Sequence, residues 1–421
     1  MCVSVQGQDW TQWRGNAQNG VAHRGSYPMH WDGESPSWSL PLPGRGGSTP
    51  VTHDGNLYVT YADEDANHVL CLNAADGTKR WDVPVGSEKN AKHSGKSHRK
   101  GSSSNPSAVL DDSAVYAYFR SGDLAAISHD GTVLWRVDTQ DLFGVDSLWW
   151  DLGTSPLLLD DVVVVTVMQT GPSYLAAFDK KSGEVKWKVD RMLQAPSEAA
   201  QSYTTPVAIE SNGEKLIAVM GADHLTLHNQ SDGKERGRLG GFNPSEHQYF
   251  RSIASPVATN DVVACPYARG ATLTGVSISK LLSGKGESAI LWHRDDLGSD
   301  VPTPAARDGV VYVVTDQKRR ERVVAVDAVS GKDLWSVELP KIRGGQISSS
   351  PLIAANHLYV LRENGVTEIV GPLDSKTPTV LHSNALPDTE ISTVASPVPV
   401  DDGLLIRTRN FLYRINSGGA E

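Results

Sequence analysis

Short apolar runs alternate with turn signals along the whole chain. Between residues 50 and 81, for example, an Asp-Gly pair precedes the run Leu-Tyr-Val, and a second Asp-Gly pair follows the run that begins at Val69. Runs of this length, rich in Val, Leu, Ile and Tyr and bounded by Asp-Gly or Ser-Gly, predict β-hairpins. No segment of significant length shows the three-to-four-residue apolar period of a helix. The pattern therefore predicts an all-β protein.

This hairpin pattern repeats, and a proline opens each copy. Ser or Thr precedes seven of the eight prolines, and Asn105 precedes the other. The steps between them are 56, 50, 50, 50, 48, 47 and 46 residues. One unit supplies about four short strands, and radial stacking of such sheets buries both faces, which predicts a β-propeller with four-stranded antiparallel blades. The prolines are Pro50, Pro106, Pro156, Pro206, Pro256, Pro304, Pro351 and Pro397.

The end of each unit sets the number of blades. Most units close with a Trp, and Leu239 and Leu381 take its place in two of them. The last unit runs out before its own Trp, whereas a spare strand around Trp38 precedes the first proline. We therefore expect eight blades, with the N-terminal strand completing the C-terminal blade and removing an open seam. The alternative is seven blades, with the weak unit that ends at Leu381 as a cap.

The closing aromatic residues are expected to be structural. A large ring at a fixed place in every blade fills the gap between neighbouring sheets. The predicted packing residues are Trp38, Trp81, Trp135, Trp187, Trp292 and Trp335.

Composition and charge restrict the classes of partner. The chain has 421 residues and a formal net charge of -10, which argues against a nucleic-acid partner. Cys2, Cys71 and Cys265 are widely separated, so neither a zinc site nor a disulfide framework is expected. The apolar run at 162–168 is of strand length, and no run is long enough to span a membrane.

The start of the chain is read as an extension of the propeller. We place an N-terminal extension at 1–30 and a single propeller domain at 31–421. The first eight residues are too short for a whole signal peptide but are compatible with the end of one. A lipid-modified Cys2 and an ordinary irregular start are the alternatives.

The repeat resembles that of pyrroloquinoline quinone (PQQ) enzymes. Its clearest copy is Tyr174-Leu-Ala-Ala-Phe-Asp179-Lys-Lys-Ser-Gly183-Glu-Val-Lys-Trp187, and the resemblance extends over about 31–421. The opening Asp9-Trp-Thr-Gln-Trp13-Arg-Gly15 is similar to the start of many exported PQQ-like propellers. The resemblance implies either a dehydrogenase that binds PQQ and calcium on the propeller axis or a cofactor-free scaffold of the BamB type. Fold alone does not choose between them.

A dehydrogenase of this family would need a specific set of groups. These are carboxylate and amide oxygens for calcium, an Asp base and an aromatic floor under the quinone. Many alcohol-oxidising members add a disulfide between adjacent cysteines, and this chain has no adjacent cysteines. No motif assigns a catalytic residue, a metal ligand or a PQQ ligand to any position, so we expect no cofactor.

Residues just before each Ser/Thr-Pro are the candidate binding residues. That segment leads into the innermost strand, so its side chains should surround one mouth of the central channel. Trp149-Trp150-Asp151 is the strongest candidate, because paired Trp residues in a loop often mark a contact surface. Packing of these residues is an equal alternative. The whole set is Arg45, Trp149, Trp150, Asp151, Tyr203, Phe250, Arg251, Asp300, Arg343, Gln346 and Glu390. The alternative for the set is an ordinary polar, solvated mouth.

Two further segments of the sequence have candidate roles. The basic insertion 88–100 explains the long first step and is read as a loop, with contact to nucleic acid or an anionic surface as the alternative. His247 is predicted near the mouth, where a lone His is more often only hydrogen-bonded.

The function expected from the sequence is a non-enzymatic, exported or periplasmic scaffold that binds an unidentified protein or ligand. We expect a monomer without a transmembrane segment. The first alternative is a PQQ- and calcium-dependent dehydrogenase of alcohols or sugars. A sensor domain cut from a larger signalling chain is a lesser alternative.

Overall fold

The computed structural model describes residues 9–23, 25–87, 102–316, 321–387 and 391–417. Within these ranges the strands form eight sheets, and each sheet contains an antiparallel four-stranded blade. The chain begins with β1 (Val21–Ala22) and β2 (Pro36–Pro41).

The strands of the first four blades are β3 (Val51–His53), β4 (Asn56–Ala62), β5 (Asn67–Asn73), β6 (Lys79–Pro84), β7 (Val109–Leu110), β8 (Val115–Tyr118), β9 (Asp123–Ile127), β10 (Val133–Asp138), β11 (Leu157–Leu158), β12 (Val162–Val167), β13 (Tyr174–Asp179), β14 (Val185–Asp190), β15 (Val207–Ser211), β16 (Glu214–Gly221), β17 (His224–Asn229) and β18 (Glu235–Leu239).

The strands of the last four blades are β19 (Val257–Thr259), β20 (Val262–Tyr267), β21 (Thr272–Ser277), β22 (Ile290–Arg294), β23 (Ala305–Arg307), β24 (Val310–Val314), β25 (Arg322–Asp327), β26 (Asp333–Glu338), β27 (Leu352–Ala354), β28 (His357–Leu361), β29 (Thr367–Gly371), β30 (Thr379–Asn384), β31 (Val398–Val400), β32 (Gly403–Arg407) and β33 (Phe411–Asn416). Two five-residue helices, α1 (Thr139–Phe143) and α2 (Ile278–Leu282), lie between strands.

The eighth blade is built from both ends of the chain. Strand β2 pairs antiparallel with β33, and Trp38 lies opposite Arg414. The order β2-β33-β32-β31 makes the N-terminal strand the outermost strand of the last blade. The predicted eight-bladed propeller and its closure are therefore confirmed. No helix in the described ranges is both long and apolar enough to span a bilayer.

The closing Trp of one blade packs on the next blade. The indole N–H of Trp135 donates to the Lys180 carbonyl oxygen at 2.8 Å. Its ring lies so close to Gly183 that a Cβ there would be 2.7 Å from it, and Gly183 has a φ of +74°, so glycine is needed at this turn. The same ring-on-glycine contact joins Trp38 to Gly77, Trp81 to Gly131, Trp187 to Gly233 and Trp292 to Gly331. Trp335 is buried in the core between blades six and seven.

The prediction that Leu239 and Leu381 occupy the closing Trp position is wrong by two residues and by one residue, respectively. Trp135 lies opposite Ala126 in its sheet. The equivalent position in the fourth blade is Gly237, opposite Leu227, and in the seventh blade it is His382, opposite Ile369. Leu281 of α2 covers Gly237. The physical reason is the bulge in each outer hairpin, which shifts the register and cannot be counted from sequence.

A closed ring of hydrogen bonds explains the Ser/Thr-Pro repeat. In each blade one buried Ser or Thr hydroxyl accepts the backbone N–H of its counterpart in the preceding blade. We call these eight residues the ring residues. The bonds run from the backbone N–H of the first residue to the hydroxyl oxygen of the second: Thr49 to Ser107 (2.9 Å), Ser107 to Ser155 (3.0 Å), Ser155 to Thr205 (3.0 Å), Thr205 to Ser255 (2.9 Å), Ser255 to Thr303 (2.8 Å), Thr303 to Ser350 (3.0 Å), Ser350 to Ser396 (3.1 Å) and Ser396 to Thr49 (3.0 Å). The following proline favours the extended backbone that this geometry needs.

The second blade departs from this rule by one register step. Its ring residue is Ser107, which follows Pro106 instead of preceding a proline. Asn105 is therefore not a degenerate ring residue. It lies two residues before the ring position.

Replacing the ring residue Thr205 with valine is expected to destabilise the protein by about 1–3 kcal/mol, because the buried N–H of Ser155 loses its acceptor. The matched control is Thr166→Val, since the Thr166 hydroxyl is buried without a partner among the described residues. Denaturant titration should show a stability loss only for Thr205→Val. Equal losses in the two variants would contradict the importance of the ring.

Residues 10–22 form a plug across one end of the channel. In five blades, the backbone N–H of the third residue after the ring residue donates a hydrogen bond to an oxygen atom of the plug. These bonds run from Thr52 to the carbonyl oxygen of Trp10 (3.0 Å), Leu110 to that of Thr11 (2.9 Å), Ala208 to Oε1 of Gln18 (2.8 Å), Ala306 to the carbonyl oxygen of Asn19 (3.0 Å) and Ile353 to that of Gly20 (2.8 Å). Strand β1 also pairs in parallel with β27. Residues 10–22 of the expected N-terminal extension therefore hydrogen-bond to five blades of the propeller.

Candidate functional site

The other end of the channel contains a cavity of about 450 Å³. Its floor is made by residues that each lie two positions before a ring residue. Because the ring holds all blades at one height, this position reaches the axis in blade after blade. The floor residues are Asn105, Gly153, Tyr203, Ile253, Val301, Ser348 and Val394. The ring thus lies between the cavity and the plug.

Trp150 is held rigidly at the cavity. Its backbone N–H donates to the Tyr203 hydroxyl at 3.1 Å, and its indole N–H donates to Oε1 of Glu198 at 2.8 Å. Glu198 is buried in a short helical turn at 197–200. The indole is only half-buried, so it stands ready to contact a ligand without a change of conformation.

Arg251 lines the cavity but is already paired. Its two terminal nitrogens bind the two oxygens of Asp300 at 2.6 and 3.0 Å. Asp300 is positioned in turn by Asp316, whose carboxylate accepts the N–H groups of Asp300 and Val301 at 2.9 and 3.0 Å. Burial raises the pKa of Asp316 to about 6. This chain of contacts fixes the wall formed by the fifth and sixth blades.

The remaining carboxylates of the cavity also receive hydrogen bonds. Asp151 lies 3.4 Å from Nη1 of Arg120, whose side chain is 1% exposed. Arg120 also binds Asp146 at 2.8 Å. The hydroxyl of Ser348 donates to Glu363 at 2.5 Å. These acids are therefore neutralised or hydrogen-bonded parts of the wall.

Arg269 differs from the other charged residues of the cavity. It is exposed and lies in a left-handed turn, with φ values of +54°, +56° and +81° at Ala268, Arg269 and Gly270. Left-handed backbone costs roughly 1–2 kcal/mol for each residue other than glycine. Such strain is typical of functional sites. A Cβ at Gly270 would lie 2.8 Å from the N atom of Asp300, so the turn packs directly on the loop that holds Arg251.

The structure brings together four of the predicted mouth residues, namely Trp150, Asp151, Tyr203 and Arg251. Asp300 lies behind Arg251, and the N–H of Trp149 donates to Oε1 of Gln201 at 3.2 Å.

The other predicted mouth residues do not line this cavity. Arg45, Arg343 and Gln346 are exposed elsewhere. Phe250 stacks on His247 at a centroid distance of 4.2 Å and packs with the core of blades four and five. Glu390 and the insertion 88–100 lie outside the described residues.

Sequence reasoning missed Glu198, Arg269, Glu363 and most of the floor. The floor residues could have been predicted from the sequence, because each lies at a fixed distance before a ring residue. No sequence pattern predicts the roles of Glu198 and Arg269. They belong to connections whose length and shape are not repeated from blade to blade.

The donors at the cavity do not fit calcium-bound PQQ. No group of three His, Cys, Asp or Glu side chains in the described ranges is arranged to hold a metal ion. The carboxylates at the cavity are engaged by Arg, Trp or Ser donors, as described above. Cys71 and Cys265 are buried in separate blades, and burial raises the pKa of the Cys71 thiol to about 12. The resemblance to quinone enzymes therefore does not extend to these residues.

Comparison with known proteins agrees with the geometry of the blades. The sequence matches the family described as outer membrane protein assembly factor BamB over residues 29–139, 68–316 and 260–420. The chain is a member of the BamB family. The predicted membership in the PQQ-like propellers is thereby confirmed. No curated protein matches this BamB-family chain significantly.

Solved structures share the fold of this BamB-family protein at low identity. BamB from Moraxella catarrhalis has 13% identity and a TM-score of 0.60, with 90% of this chain and 99% of that chain covered. The quinohemoprotein alcohol dehydrogenase from Comamonas testosteroni has 13% identity and a TM-score of 0.68, with coverage of 98% and 81%. A europium-containing methanol dehydrogenase has 11% identity and a TM-score of 0.66, with coverage of 93% and 87%. These likenesses show the fold alone.

Proposed function

We propose that the protein is a non-enzymatic binding scaffold of the BamB type that receives part of a protein partner in the axial cavity. The observation that carries this proposal is the state of the cavity wall. Its acids and Arg251 are held in fixed pairs, while Trp150 and Arg269 remain accessible. Such a wall is preorganised for recognition.

The lining suggests the chemistry of the bound segment. Ile253, Val301 and Val394 make an apolar floor, and Trp150 adds an aromatic face. Arg269 supplies an exposed guanidinium beside them. An aromatic or aliphatic side chain next to a carboxylate would match these groups, because guanidinium pairs favourably with carboxylate.

The connections around the cavity also expose apolar side chains, which supports a protein partner. Leu142, Val145, Met192 and Tyr249 lie in the segments that lead from one blade to the next ring residue, and they are 51%, 49%, 57% and 44% exposed. Exposed apolar groups in connections on the same face as the cavity favour a macromolecular contact. The plug blocks the opposite end of the channel, so a ligand would enter from this face.

We further propose that the protein acts without PQQ, and that it is exported or periplasmic like the family it belongs to. The first part is supported by the carboxylates of the cavity, which are already engaged. Equilibrium dialysis with PQQ and Ca²⁺ tests it, and the expected result is no protein-bound quinone absorbance. Stoichiometric uptake with dye reduction would instead support a dehydrogenase.

The binding proposal is tested by capture from the native envelope fraction, followed by titration of the recovered partner. Trp150→Ala is expected to weaken binding by about 2 kcal/mol, roughly 30-fold, as for a buried aromatic anchor. Arg269→Gly should weaken binding at least about tenfold without loss of stability, because glycine relieves the left-handed strain. Leu334→Ala, on the exposed outer strand β26, is the control.

Two results would count against the scaffold proposal. One is capture of nothing above background by the wild-type protein. The other is a partner that binds all three variants with wild-type affinity, which would place the contact away from the cavity.

A further inference from the structure

A second, much smaller cavity of about 10 Å³ lies beside the axial cavity. Its wall includes Gly46, Gly47, Thr393 and the side chain of Arg407. The size suits one water molecule or one monatomic ion. Gly46 keeps the space open, since a Cβ there would lie 2.6 Å from Nη2 of Arg407.

Arg407 is fully buried and only partly hydrogen-bonded. Its Nη1 donates to the carbonyl oxygen of Ser48 at 3.0 Å and also to the Ser48 hydroxyl. Its Nε and Nη2 have no hydrogen-bond partner among the described residues. These two nitrogens share one edge of the planar guanidinium, which is the edge that normally binds an anion in a bidentate manner.

Two other buried arginines in this protein have all their guanidinium nitrogens hydrogen-bonded. Arg362 pairs with the carboxylate of Glu368 at 2.7 and 2.9 Å. Arg191 has no carboxylate, but its nitrogens bind the Thr226 hydroxyl, the Met168 sulfur and three carbonyl oxygens. The guanidinium of Arg407 retains an unbonded edge, and among the described residues Arg14 of the plug likewise has two unbonded nitrogens, Nε and Nη1.

A buried cation without a counter-charge is energetically costly. No carboxylate forms an ion pair with Arg407 within the described part of the chain. Water could fill the space but would leave the charge uncompensated. An anion in the small cavity would satisfy both orphan N–H groups and neutralise the guanidinium.

We propose that this cavity is a chloride site, in which Nε and Nη2 of Arg407 hold one ion. The site lies where the last blade meets the first, because Arg407 ends β32 and Ser48 precedes the ring residue Thr49. Bound chloride would therefore strengthen the junction that closes the propeller. The site is separate from the axial cavity and does not depend on the function proposed for it.

Bromide soaking of wild-type crystals tests the site directly. The expected result is an anomalous peak within hydrogen-bonding distance of both nitrogens. A water molecule there, with no anomalous signal, would overturn the proposal. This measurement needs no variant and so does not depend on whether a variant folds.

Stability in solution gives a second test. At constant ionic strength, replacing gluconate with chloride should lower the unfolding constant about tenfold for each tenfold rise in chloride above the dissociation constant. Arg407→Met should abolish this dependence, whereas Arg191→Met should retain it whatever its stability. An identical response to chloride in the wild type and Arg407→Met would contradict the site.

Discussion

Replacing Trp10 with alanine is expected to lower the free energy of unfolding by about 3–5 kcal/mol. Trp10 is 1% exposed and belongs to a core cluster that includes residues of the first, seventh and eighth blades. It also forms the first bridge of the plug, with Thr52. The loss combines a cavity in this core with weaker anchoring of the plug. Guanidinium titration should show a lower midpoint.

The control for this prediction is Ala17→Ser, at an exposed position of the same plug. A surface change of this kind usually stays within about 0.5 kcal/mol. If Trp10→Ala were as stable as the control, the plug would not be an integral part of the propeller. That result would also reopen the channel to ligands from both ends.

Replacing Arg362 with methionine is expected to cost about 3–5 kcal/mol at pH 8, because the buried carboxylate of Glu368 loses its partner. Arg362 and Glu368 are both 0% exposed. Burial raises the pKa of Glu368 to about 7, and Arg362 opposes that rise. Glu368 therefore contributes stability below its ordinary pKa of 4.5, and this contribution is lost as the pH rises through 7.

The sign of the pH dependence makes this prediction specific. Without Arg362 the pKa of Glu368 rises further. The variant therefore loses more unfolding free energy relative to the wild type at pH 8 than at pH 5, where Glu368 is protonated. Unfolding free energies of wild type and variant at both pH values measure the difference. The double variant Arg362→Met with Glu368→Leu should recover much of the loss. A cost that is the same at both pH values would show that packing, not charge, determines the effect.

The plug and the ring together restrict where this protein can act. The ring holds the eight blades at one height, and the plug occupies the channel on the side that the inner strands run toward. Within the described part of the chain, the face with Trp150 and Arg269 leads into an open cavity.

The candidate site was predictable only where it follows the repeat. Tyr203 and Arg251 lie two and four residues before a ring residue, so their distance from the Ser/Thr-Pro pair placed them near the mouth. Arg45 and Gln346 share the position of Arg251 relative to the ring, yet both are exposed outside the cavity. Loop shape decides which of these equivalent side chains turns inward, and loop shape is not repeated.

The sequence by itself determined the propeller, its eight blades and the closure through the strand of Trp38. Each blade repeats the same local pattern, so a signal read eight times is reliable even when one copy is irregular. Only the tertiary structure decided the roles of Trp10, Arg269 and Arg407. The plug, the left-handed turn and the unbonded guanidinium depend on contacts between non-repeated segments and blades far apart in the chain. Such contacts leave no periodic pattern in the sequence, because each occurs once.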